Sequence, residues 1–261
     1  MSCSLPPEIL GLVLDQLHDE SATLKACCVV SKSWVPPARR HLFARLTFGI
    51  LAHQVESWMK AFPDPSTTPA RHTRSLSIRG FPIINATDED VGDWIRTFHN
   101  VVDLHLEHVV LTHHEALAPY CGFSHMVRSL RLTSTSFEIF DLVCSFPLLE
   151  DLALVSLQSH GAAAEWNAPS TSPKLTGSLE LSAVGGIRSA TRRLLDFPDG
   201  LCFTNIAVSC IGSDFESATD LVSRCSRALE SLTLNCSFLG TFPPVSPIGQ
   251  CLTTALGRRY A

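Results

Sequence analysis

Pairs of apolar residues separated by a single position recur along most of this chain. They fall at Leu76/Ile78, Leu104/Leu106, Leu130/Leu132, Leu152/Leu154, Leu179/Leu181, Ile206/Val208 and Leu232/Leu234. Successive first members lie 28, 26, 22, 27, 27 and 26 residues apart. Alternation points these side chains to one face of a short strand. A period in this range means one strand and one return per repeat, each unit burying its apolar face on the next. A further apolar residue stands three before the first member at Val101, Val127, Leu149, Phe203 and Leu229, with Thr73 and Thr176 in two copies. Between the strands, 90–98, 137–146, 189–195 and 217–225 carry apolar residues at three-to-four spacing and predict helical returns.

Before this array the period changes. Pro6 and Pro7 open a helix whose first turn carries Glu8, where a negative charge suits the helix dipole. Ile9, Leu10, Val13, Leu14 and Leu17 form its main stripe, and Leu12 lies on another face, so this helix must cover two surfaces. Asp19 or Ser21 is the expected N-cap of a second helix over 22–30. Pro36-Pro37 then opens a third through His41. Three helices this short cannot bury Ile9, Leu12, Leu17, Leu24, Val29, Val30 and Trp34 among themselves, so some of these face a partner. Each is worth about 1.5–3 kcal/mol when fully buried.

Leu5-Pro6, Glu8, the apolar run from Ile9 to Leu17, and Val30-Ser31-Lys32-Ser33-Trp34 together resemble an F-box, with Ser31 where a Cys is common. The exit Trp34-Val35-Pro36-Pro37-Ala38-Arg39-Arg40-His41-Leu42-Phe43 is similar to that of many fungal, basidiomycete-type F-box proteins, and the array resembles degenerate leucine-rich repeats. The resemblance implies docking on a Skp-type adaptor, and through it a cullin, by Leu5, Pro6, Ile9, Leu17, Val30 and Trp34. A plain helical cap on the array is the competing reading of residues 5–48.

The expected fold is therefore α/β: a three-helix F-box at 1–48, a linker with a short helix (55–62) at 49–73, and a leucine-rich-repeat-like solenoid with parallel strands and helical returns at 74–261. Residues 159–173 read as a surface insertion. Past Leu234 no polar capping repeat is evident, so either a helix around 250–256 closes the array or the chain is shortened relative to its relatives.

Composition narrows the function. Of 261 residues 45 % are hydrophobic and only 17 % charged, against about a quarter in average proteins. Net charge is −5, with basic residues dispersed except for pairs such as Arg39-Arg40 and Arg192-Arg193, which argues against nucleic acid. The ten cysteines form no C-x-x-C pair and no leader is visible, predicting free thiols in a cytoplasmic or nuclear, reducing setting. No run approaches the roughly 18 apolar residues of a membrane span.

Candidate chemistry is thin. His99, His105, His108, His113, His114 and Cys121 hold suitable metal-ligand types, but their spacing completes no familiar four-ligand set, so neither metal nor cofactor is expected. Cys121 or Cys144 could be imagined as a nucleophile beside a histidine. Cys144 is expected on a buried helix face, however, where a thiol is inert. No phosphate loop or hydrolase motif appears, and Gly185-Gly186 is a lone turn signal. No catalytic residue is assigned. The function that the F-box resemblance implies is substrate recognition in a cullin-based SCF-type ubiquitin ligase. The alternative is a non-catalytic repeat scaffold or an adaptor-binding protein that presents no substrate. The candidate face for an unidentified protein target is the outward row of the strands, notably Asp103, His105, Arg131, Asp151, Glu180 and Asn205; that row reads equally well as a solvated sheet.

Overall fold

The computed structural model describes residues 6–49, 52–80, 89–108, 120, 125–134, 139–156, 173–182, 187–197, 200–211 and 214–237. Leu5, His113, His114, Cys121, most of the 159–173 insertion, Gly185-Gly186 and the expected closing helix at 250–256 lie outside them.

Three helices come first: α1 (Pro7–Gln16), α2 (Ser21–Val30) and α3 (Val35–Leu42), with a 3-10 turn over Lys32–Trp34 leading into α3. Prolines occupy the first turns of α1 and α3, where no helical N–H is required. The N-cap of α2 is Glu20, not Asp19 or Ser21; it makes no capping bond to the backbone, and its carboxylate instead accepts from the Thr23 hydroxyl at 2.9 Å. Leu10, Leu14, Leu24, Cys27 and Ala38 close a small core of their own.

The rest of the described chain is one sheet of 8 strands, all parallel and in sequence order. They are β1 (Arg45–Phe48), β2 (Ser75–Arg79), β3 (Asp103–Glu107), β4 (Ser129–Thr133), β5 (Asp151–Val155), β6 (Ser178–Ser182), β7 (Asn205–Ile211) and β8 (Ser231–Ser237). The apolar pairs stack in register, as Leu76↔Leu104 and Leu104↔Leu130 illustrate. Helices α4 (Ala52–Ala61), α5 (Glu89–Arg96), α6 (Ile139–Cys144), α7 (Ile187–Leu195) and α8 (Phe215–Cys225) supply returns among the described residues. Their apolar residues join the strand leucines in a single core, leaving the other sheet face open.

The array starts earlier than the repeat spacing suggests. Phe43, Leu46 and Phe48 form an additional copy of the apolar pattern, and β1 pairs with β2 from Arg45↔Ser75 onward. Residues 45–48 therefore belong to the sheet and not to the helical module. The segment expected as a linker is likewise part of the array: Val55 of α4 is buried in the main core, with Trp58 and Met59 packed against it. Edge-to-face contacts of Phe48 with Trp58 and Trp94, and of Phe43 with Trp58 and Phe62, knit this end together.

Two backbone devices repeat with the period. At the entries of β2 to β5, β7 and β8 one carbonyl accepts two amides: Arg74 O takes Val102 and Asp103 N–H, Val102 O takes Arg128 and Ser129 N–H, and Thr204 O takes Glu230 and Ser231 N–H. At the exits of β2, β3, β4 and β5, Gly80, His108, Ser134 and Ser156 all adopt left-handed conformations, φ 52 to 61°. That turn aims each N–H at the last carbonyl of the next strand, as Ser134 N–H does at Val155 O (2.8 Å). Three of these four positions are not glycine, so the backbone strain is offset by continuation of the ladder.

Candidate functional site

Two surfaces emerge. On the helical module, Ile9 is 45 %, Leu12 62 %, Val29 86 % and Val30 67 % exposed, and Val13 shares the exposed side of α1. Leu10 and Leu14 face inward on the same helix, so one stripe closes the module's core and the second stays open, as its double patterning requires. Pro6 is also exposed. Leu17 and Trp34 behave differently: both are half-buried against the module's own core, which leaves them only partly available to a partner. Val13 was not among the residues expected to dock; its spacing from Ile9 on one helix face was the signal.

The second surface is the open sheet face. Residues Ser129, Arg131, Ala153, Glu180, Ala207 and Thr233 lie along a shallow concavity of ≈ 360 Å³ over β4–β8. Ala153 and Ala207 flank Glu180 on the neighbouring strands, and their small side chains lower the floor on either side of it. Arg131 reaches across Ala153 to pair with Glu180. Both were among the expected contacts of the face, yet they hold one another.

Asp151 is engaged too. Its Oδ1 accepts from both the N–H (2.7 Å) and the hydroxyl of Ser178. This replaces a ladder contact, because β5 and β6 pair only from Leu152↔Leu179 onward. Gly177 makes room for it: a Cβ there would meet Asp151 Oδ1 and lie 3.0 Å from the Glu150 carbonyl. Asp151 is thus first a structural residue of the sheet.

Asp103 is exposed, and its pKa is raised by partial burial and then by the negative charge of Asp151. His105 sits half-buried on the neighbouring row, within 3.1 Å of the Thr133 hydroxyl and 3.5 Å of Ser77 Oγ. Burial lowers its pKa, so the neutral ring bridges three strands. Asn205 is exposed and donates to the Thr204 hydroxyl. The expected face is therefore assembled as one surface, but much of its polarity is spent within it.

Among the described residues no cluster of ligating side chains could hold a metal, and no helix is long and apolar enough to cross a membrane. His99 and His108 are exposed, apart from half-buried His105. The Cys144 thiol is pushed up to about 12, by burial and then by Asp141, and burial lifts Cys225 to about 11. Both are protonated and poor nucleophiles at neutral pH. The sequence matches no protein-family model and no curated protein.

Proposed function

We propose that this chain is the substrate-recognition subunit of an SCF-type ubiquitin ligase. In this reading α1–α3 dock a Skp-type adaptor as an F-box does, and the leucine-rich-repeat-like sheet face holds a protein target. The protein performs no chemistry itself. Tethering the target near a separately recruited enzyme raises its effective concentration.

One observation carries the reading. Ile9, Leu12, Val29 and Val30 stand exposed on a module that already has a closed core, whereas the strand leucines of β2 to β6 are buried. Apolar side chains left open on short helices are what a partner groove would bury, and a few such anchors dominate a typical interface. The test is co-expression with a Skp-type adaptor. Wild type should copurify with it and Ile9→Gln/Val30→Gln should not, while both keep the same helical circular dichroism. Equal recovery of the adaptor by both would overturn the docking assignment.

For the sheet face, Arg131→Glu breaks the pair with Glu180, whereas Arg131→Glu/Glu180→Arg restores it with reversed polarity. Target recovery lost in both variants, with adaptor recovery intact, indicates direct recognition by these charges. Rescue in the double variant indicates that the pair only shapes the surface.

A further inference from the structure

At the seam between the helical module and the sheet, two short elements bring basic side chains together. Arg39 and Arg40 lie in the last turn of α3, and Arg71 and His72 close the 3-10 turn Pro69–His72, which packs against that helix. The turn is held firmly. Its N-cap Thr68 is buried and accepts from Ala70 N–H, and Asn100 Nδ2 donates to the Arg71 carbonyl at 2.8 Å. Arg74 then donates to the Asn100 carbonyl, placing a further guanidinium on the same support.

No described acidic residue pairs with the free guanidinia of this group. Among the described residues Arg39, Arg40 and Arg71 form no ion pair; the nearby Asp15 and Asp19 are taken by His41 at 2.9 Å and Arg45 at 2.7 Å. Arg71 Nε–H instead meets His72 Nε2 at 3.4 Å. Partial burial, then Arg71, Arg40 and Arg39, lower the His72 pKa, so all three guanidinia act on one imidazole. A cationic last turn on α3 complements the helix dipole and accounts for Arg39 and Arg40. It does not account for Arg71 and His72, which come from a different element in a chain of net charge −5.

We propose that Arg39, Arg40, Arg71 and His72 form a binding site for an anionic segment of a partner protein, bearing either a phosphate or clustered carboxylates. Guanidinium forks match both groups in bidentate geometry, and the rigid support means that little ordering is required on binding. The three guanidinia lie close enough to act on one imidazole, in a chain of net charge −5, which favours a short anionic peptide over a nucleic-acid duplex. The site is independent of the adaptor and target surfaces proposed above and stands or falls apart from them.

Fluorescence anisotropy on the full chain tests this with four labelled probes: a phosphoserine peptide, its unphosphorylated twin, a peptide rich in Asp and Glu, and a short DNA duplex. At least one anionic peptide should bind more tightly than the uncharged twin, and whichever binds better identifies the anion. Arg40→Gln/Arg71→Gln should weaken that binding at least tenfold. Arg96→Gln/Arg188→Gln, which removes the same formal charge elsewhere, should leave it unchanged. All four side chains are exposed, and circular dichroism checks that the variants remain folded. The proposal is overturned if neither anionic peptide exceeds the uncharged twin, if both double variants lose binding equally, or if the duplex binds more tightly than either peptide.

Discussion

The helical module and the sheet are built from similar apolar side chains and dispose of them in opposite ways. In the sheet, Leu76, Leu104, Leu130, Leu152 and Leu179 are each at most 1 % exposed, because each of these strands has neighbours in register and turns its leucines into the common core. In the module, Leu10 and Leu14 are buried to a similar degree, while Leu12 and Val29 remain 62 % and 86 % exposed. Burial here is decided by neighbours and not by residue type. A repeat offers each leucine a matching one on the next strand, and three short helices run out of facing surface. Exposed apolar residues carry information in the module that a buried leucine of the array cannot carry.

The sharpest way to break this contrast is to truncate a strand leucine. Leu104→Ala or Leu152→Ala should cost about 2–5 kcal/mol in denaturant unfolding, from lost burial and the cavity left behind. If either costs no more than an exposed-site change, the strand core is not the continuous one described. Next in size is Gly177→Ala, expected to cost about 1–3 kcal/mol by driving a methyl into Asp151 and the Glu150 carbonyl. The same change made on an Asp151→Ala background should cost less, because one of its two obstacles is gone. Strict additivity of the two would separate Gly177 from the carboxylate's role in joining β5 to β6.

Thr73→Val sharpens the comparison from inside the array. Thr73 occupies the position that Val101 and Val127 fill in later repeats, and it is fully buried with its hydroxyl unpaired among the described residues. Replacing that hydroxyl with a methyl should raise stability by about 1–2 kcal/mol, read as a higher denaturant midpoint with an unchanged slope. The smallest effect belongs to the module: Leu12→Gln and Val29→Gln should each shift stability by no more than about 0.5 kcal/mol. A loss comparable to that of Leu104→Ala would mean these side chains are already covered within the chain.

The strands from β2 to β8 were legible because the alternation and the period each specify them independently, and each expected apolar pair falls within a strand. The strand β1 was not, although Phe43, Leu46 and Phe48 follow the same rule. Its residues adjoin the end of α3, and four residues of alternation do not by themselves say which unit will pair with them. The linker expectation for α4 failed for the same reason, since Val55 becomes a core residue only once β1 and β2 lie beside it. Of the candidate sheet face, the outward row was legible from the alternation. The Arg131–Glu180 pairing and the seating of Asp151 over Gly177 were not, because their partners lie 49 and 27 residues apart in the chain.

By itself the sequence determined which residues turn inward, how often the chain returns, and that the first helix carries more apolar surface than its own module can bury. Those properties are local, set by the two-residue period of a strand and the 3.6-residue period of a helix. Only the tertiary structure decided where the sheet begins, which charged groups on its open face are already paired, and that Arg71 and His72 come to rest beside Arg39 and Arg40. These depend on packing between segments 27 to 49 residues apart, and no local period encodes the contact of one element's side chain with another's.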